Sequence, residues 1–173
     1  MNNDVEIAGD ALALPHLLPA PPKHPATLSA FAALVRTLAD EPERWRPLVR
    51  YDATLRWYHR LDQRPGYELW LSSWLPGQGS GRHDHGVSRG LCTVLEGELT
   101  ERSVRRGDGG EESRVLRPGT LRAFAPGYVH DVVNSALTPA VSAHVYYPAL
   151  TGMRMRCSSA PGRAEPARLP TGA

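Results

Sequence analysis

From about residue 54 onward the chain is cut into short segments, and this punctuation constrains its fold more than any other feature. TLRWYHRL, YELWLSSWL, LCTVLE, ELTERSV, SRVL, LRAFA, HDVVN and AVSAHVYY alternate with breaks such as RPG, LPGQG, EG, GDGG and APG. The runs favour β-branched, aromatic and alternating residues, and the breaks are built from residues that turn the chain. Many short strands at this spacing predict an antiparallel sandwich or barrel over residues 54–150.

What precedes and follows differs in texture. Residues 1–25 are rich in Ala, Leu and Pro, and LPAPPKHP rules out a regular helix, because each proline fixes φ and removes a donor. An extended lead-in is expected there. Residues 26–53 predict helices: Thr27 can cap the first, with Leu28, Phe31, Leu34, Val35 and Leu38 on one face. DEPERW predicts a second, short helix with Pro42 in its first turn. Residues 151–173 hold almost no large apolar side chains and predict a loose tail.

At 173 residues the length suits one domain. The net charge of +2 comes from interspersed charges, with no basic tract or aromatic-basic ladder, which argues against nucleic acid. The first ten residues carry acids where a signal peptide carries positive charge, and no apolar run is long enough to span a membrane. Cys92 and Cys157 stand far apart, so no disulfide framework or structural zinc site is expected. Together these features predict a cytoplasmic protein with reduced thiols.

Side chains two apart on a strand share a face. In AVSAHVYY, Ser142, His144 and Tyr146 therefore point one way, and Ala143, Val145 and Tyr147 the other. The polar face is either the wet outside of a sheet or the lining of a polar pocket. The same parity groups Tyr58 with Arg60 and places His59 opposite. His83 and His85 share a face if GRHDHG is extended, so both imidazoles can reach one ion. Alone, an HxH reads more simply as a surface loop. The apolar strand before it, and a third histidine at His130 in PGYVHDVVN, shift the reading toward a metal site.

The spacing of these residues resembles the cupins. Gly77, His83, His85, Gly90 and Gly97 follow the first cupin motif, and Pro126, Gly127, His130 and Asn134 the second. Most cupins carry a Glu ligand four or five residues after the HxH; those slots hold Arg89 and Gly90, and Glu96 stands at a turn where it is expected to be solvated. Cupins lacking that Glu include the thiol dioxygenases. SSWLPGQGSGRHDHG resembles the iron-site strand of bacterial cysteine dioxygenases, Tyr58-His59-Arg60 their Tyr-x-Arg element, and Ser142, His144 and Tyr146 their Ser-x-His-x-Tyr element. The resemblance covers roughly residues 54–148.

That resemblance implies a mostly β, cupin-type antiparallel barrel of the jelly-roll kind with a short N-terminal helical segment. It implies Fe(II) held by His83, His85 and His130, whereas three neutral imidazoles alone would also accept zinc, copper or nickel. His144 as the ligand, with His130 behind it, is the alternative arrangement. Arg60, supported by Tyr58, is expected to take a substrate carboxylate, and Tyr146, oriented by His144 and Ser142, to act on the substrate. Animal members carry a cysteine at the Gly90 slot, cross-linked to the residue matching Tyr146; with glycine there, Tyr146 is expected to be uncross-linked, and Cys92 to be a small core residue. The implied reaction is oxidation of L-cysteine by O2 to cysteine sulfinic acid. The alternatives are 3-mercaptopropionate as substrate, a different metal-dependent cupin enzyme, or a non-catalytic metal-binding cupin. The partners implied are a small thiol and O2; oligomeric state stays open, and a monomer is compatible with the sequence.

Overall fold

The computed structural model describes residues 27–104 and 109–156, so the expected lead-in at 1–25, Cys157 and most of the expected tail lie outside the described residues. The first element, α1 (Leu28–Asp40), is capped as its sequence predicts: Thr27 is extended, and its hydroxyl accepts from the Ala30 amide at 3.2 Å. Phe31, Val35 and Leu38 form its buried stripe, while Leu28 stays exposed. DEPERW forms its expected short helix as a 3-10 turn, Pro42–Arg44, with Pro42 and Glu43 in its first turn, and a second 3-10 turn follows at Arg46–Leu48. Pro47 lacks an amide proton and biases the residue before it away from helical backbone, so the turn cannot propagate.

Among the described residues ten strands follow: β1 (Tyr58–Arg64), β2 (Tyr67–Trp74), β3 (His83–Asp84), β4 (Arg89–Glu96), β5 (Leu99–Val104), β6 (Glu111–Leu116), β7 (Leu121–Phe124), β8 (His130–Val133), β9 (Ala140–Tyr147) and β10 (Arg154–Met155). They form two five-stranded sheets, ordered β1-β2-β9-β4-β7 and β10-β3-β8-β5-β6. Every pairing between these strands is antiparallel. The ladder does not run continuously from one sheet into the other, so the molecule is a jelly-roll sandwich rather than a closed barrel. Within the stretch expected to be a tail, β10 pairs with β3, bringing Met155 opposite His83.

The first sheet is buried on both faces. Leu69, Leu71, Leu91, Val141, Ala143 and Val145 pack with Phe31, Val35 and Leu38 of α1. The opposite face carries Trp74, Cys92, Val94, Ala140 and Tyr146, which meet Leu99, Leu116 and Val132 of the second sheet. This is why β9 is buried almost throughout instead of alternating between core and water. Asn134 fastens the end of the sandwich: fully buried, it donates to the carbonyls of Trp74 at 2.9 Å and Thr138 at 2.8 Å. Among the described residues no helix is long and apolar enough to cross a membrane.

Candidate metal centre

His83 on β3 and His85 just past its end bring their imidazoles together, while the carboxylate of Asp84 between them bonds elsewhere. Asp84 is buried, accepts from the Gly86 amide at 2.7 Å and pairs with Arg156, which fixes the turn after the second histidine. His130 opens β8, directly opposite His83 in the register. The three side chains offer ring nitrogens that all lie within 4.8 Å of one another, and all three residues are buried. The expected ligand set is therefore brought to one point.

Hydrogen bonds select which nitrogens face that point. His83 Nδ1 donates to the Gly81 carbonyl at 2.8 Å, leaving its Nε2 lone pair inward, 3.1 Å from Nε2 of His85. His130 Nδ1 donates to Glu101 at 2.9 Å, and its Nε2 is a buried polar atom with no hydrogen-bond partner. Without a cation, His85 Nε2–H can donate to the His83 lone pair, but the buried His130 Nε2 still has no partner; a divalent cation that takes nitrogen ligands answers all three nitrogens at once. Burial pushes His83 down to about 4, and burial together with the other two histidines pushes His85 down to about 2. Both thus stay neutral and able to ligate at ordinary pH.

Among the described residues no carboxylate belongs to the cluster, in keeping with the missing Glu of the cupin motif. Glu96 is at the surface, 3.4 Å from Arg46. A carboxylate does stand one bond behind the site. Glu101 on β5 is buried, bonded to His130 through one oxygen and to Arg122 through the other, and Arg122 in turn donates to the Tyr128 hydroxyl at 2.7 Å. Burial raises the Glu101 carboxyl, but the bonds from His130 and Arg122 outweigh it and hold the group below its ordinary value. Sequence reading missed Glu101 and Arg122. The available signal was Glu101 on the inward parity of LTERSV, shared with Leu99 and Ser103.

A cavity of about 240 Å³ opens beside the histidines. The expected polar face of β9 lines it: Ser142, His144 and Tyr146 are all buried, so this face is a pocket wall and not the wet outside of a sheet. Trp74 Nε1 donates to Ser142 Oγ at 2.8 Å, and Ser142 Oγ lies 2.7 Å from His144 Nε2. His144 is thereby occupied away from the cluster. Burial, and then the Arg56 charge, pushes it down to about 3. The rings of His144 and Tyr146 are stacked, 6.2 Å apart and 11° from parallel, so His144 orients the tyrosine through packing. Burial raises the Tyr146 phenol above its ordinary value, keeping it a proton-bearing donor.

Gly90 answers the question of the cross-link slot. A Cβ there would lie 1.9 Å from Cε2 of Phe124, whose ring stacks on His85 at 5.3 Å. The space a cysteine side chain would need is filled by an aromatic ring that also backs a candidate ligand. Cys92 is buried in the core between the sheets, and burial pushes its thiol up to about 12. It is an inert packing residue.

Tyr58 and Arg60 also line the cavity, and His59 turns outward to stack on Trp57. Arg60 lies 3.2 Å from Glu68, a buried acid that also accepts from Trp70 Nε1 at 3.1 Å. Arg56, two residues before Tyr58, lines the same cavity and went unnoticed in the sequence although it shares the parity of Tyr58 and Arg60.

Comparison with known proteins agrees with this geometry. The family model described as cysteine dioxygenase type I matches residues 23–157. Human cysteine dioxygenase type 1 is 27% identical over 125 residues, covering 67% of this chain and 62% of the human protein. A solved structure from Thermus thermophilus is 30% identical with a TM-score of 0.53, over 60% of this chain and 93% of that one. A cupin superfamily protein from Desulfitobacterium hafniense shares the fold at 12% identity and a TM-score of 0.51, over 60% and 87% of the two chains.

Proposed function

Since this chain belongs to the cysteine dioxygenase type I family, we propose that it is a thiol dioxygenase that holds Fe(II) on His83, His85 and His130 and converts L-cysteine to cysteine sulfinic acid. Both atoms of O2 end on sulfur (RSH + O2 giving RSO2H), so the reaction balances without an external reductant. The observation that carries the reading is the convergence of three buried imidazoles, with His130 Nε2 lacking any protein partner and its Nδ1 anchored by Glu101. Bound there, Fe(II) supplies a Lewis-acidic centre that favours the thiolate and brings sulfur and O2 together.

The chain's own residues do the rest. Tyr146, protonated, stacked on His144 and tilted against His85, directs a hydroxyl donor toward the substrate. Ser142 and Trp74 hold His144, and so hold the plane on which Tyr146 packs. The rings of Trp70 and Trp74, which line the cavity, limit water around the sulfur. Arg60 with Tyr58 is the carboxylate site expected from the sequence, although Arg60 already has an acid partner in Glu68.

A second reading is 3-mercaptopropionate, which offers the same thiol and carboxylate as L-cysteine without the amine. Oxygen uptake by iron-loaded protein with L-cysteine, 3-mercaptopropionate and cysteamine, products identified, decides between them. Cysteine sulfinate formed fastest from L-cysteine is expected. Preference for 3-mercaptopropionate replaces the substrate but keeps the chemistry, and no uptake with any thiol by protein carrying iron leaves a metal-binding cupin.

A further inference from the structure

We propose that Glu68 on β2 receives the substrate's amine and makes this cavity selective for thiols that carry one. The inference rests on the thiol dioxygenase reading and bears, within it, on the choice between L-cysteine and 3-mercaptopropionate.

Burial alone does not account for an acid in this place. Glu68 shares strand parity with Trp70, Ser72 and Trp74, and all four line the cavity. In the register of the sheet it stands opposite Tyr146. Among the described residues that line the cavity it is the one acid. Its side chain is 7% exposed, whereas that of its ion-pair partner Arg60, 3.2 Å away, is 45% exposed. Water answers a half-exposed arginine at little cost, and one such partner rarely offsets the withdrawal of a carboxylate from water. The asymmetry points to a group held at the wall for what enters the cavity.

The bonding of Glu68 leaves it able to receive. One oxygen accepts from Arg60 Nη1, and the other from Trp70 Nε1 at 3.1 Å. A carboxylate has about four acceptor positions, so these donors fix its orientation without filling it. An amine nitrogen brings N–H donors, and as an ammonium it brings a charge that the rest of the cavity opposes. Arg56 and Arg60 are cations on the same wall, and a bound metal adds its own charge. Glu68 is therefore where a cationic substituent is stabilised. 3-Mercaptopropionate offers nothing there and leaves that side of the carboxylate unanswered.

The test reads Kd by anaerobic calorimetry on iron-loaded wild type, Glu68→Gln, Glu68→Asp and Arg60→Gln. Glu68→Gln keeps the shape and an acceptor for Trp70, but it also releases Arg60, which by itself would improve the binding of any carboxylate. The deciding pair therefore lacks a carboxylate: cysteamine and ethanethiol, which differ by the amine. Glu68→Gln is expected to lower the preference for cysteamine over ethanethiol by about tenfold or more. L-Cysteine should lose ground to 3-mercaptopropionate in the same variant, in Kd and in KM for oxygen uptake. Glu68→Asp keeps the charge and should recover part of the cysteamine preference. Arg60→Gln removes a neighbouring cation and should not lower it. The inference is overturned by a wild-type cysteamine preference in Glu68→Gln, or by an equal loss in Arg60→Gln. If the wild type consumes no oxygen with any thiol, the dioxygenase reading fails, while the anaerobic Kd values still decide whether Glu68 takes the amine. Should Glu68→Gln fail to fold, the double variant Arg60→Gln/Glu68→Gln, neutral at both positions, gives the same decision against Arg60→Gln.

Discussion

At the scale of single residues, the candidate centre depends on what stands behind its ligands. Glu101 is the clearest case. It fixes the ring of His130 with Nδ1 outward, and Arg122 keeps the carboxylate ionised. Glu101→Gln retains an acceptor but removes the charge that strengthens His130 as a donor to metal. Removing such a partner typically weakens metal binding by roughly 10–100-fold, and chelator competition at fixed pH measures it. Unchanged affinity in both Glu101→Gln and Glu101→Ala would falsify this role. The three histidines, Tyr58, Arg60, Ser142, His144 and Tyr146 were legible in the sequence because strand parity and motif spacing both select them. Glu101, Arg122 and Arg56 were not. Their roles depend on which strands face one another across the sandwich, and pairing of that kind leaves no mark at fixed spacing.

At the scale of elements, the notable relation is between α1 and the first sheet. The sequence shows the helix and its apolar stripe, and it shows Ala143, Val145 and Tyr147 as one face of β9. It does not show that these two surfaces meet, which is what makes both faces of that sheet interior. Phe31 lies at the junction, its ring 5.5 Å from Tyr67 and 5.7 Å from Tyr147. Phe31→Ala would remove most of a buried aromatic and leave a cavity against β2 and β9, at a cost of about 3–5 kcal/mol. Urea unfolding should show that loss. Because Ser142, His144 and Tyr146 lie on the other face of β9, the folded fraction should keep its metal affinity. A loss below 1 kcal/mol, on the order of a surface substitution, would mean that α1 is not packed as described. The short helix expected at DEPERW is present but stays a single 3-10 turn for a local reason: Pro42 suits a first turn, and Pro47 follows too closely for that turn to lengthen.

For the molecule as a whole, burying so many titratable groups in neutral form confines stability to a band of pH. Burial holds the His144 pKa down at about 3, well below the 6.5 of an exposed imidazole. Between those values the unfolded chain takes up a proton that the folded chain refuses. Stability from this group is therefore complete above pH 6.5 and falls as the pH drops, by about 1.4 kcal/mol per unit. His83 and His85, pushed down to about 4 and about 2, act in the same direction when no metal is bound. The alkaline side is opposite in sign. The Cys92 thiol, raised from 9.0 to about 12 by burial, and the Tyr146 phenol, raised above 10.0, stay protonated in the fold while the unfolded chain releases both protons. Stability from these groups is complete below pH 9 and declines above it. Chelator-treated protein should accordingly show a plateau from about pH 6.5 to 9 in urea unfolding, with a fall on either side. His144→Asn should flatten the acid limb by the share of one proton, and Cys92→Ala the alkaline limb. An acid limb flat down to pH 5 would mean that these histidines are solvated, and the buried centre on which the chemistry depends would not exist in solution.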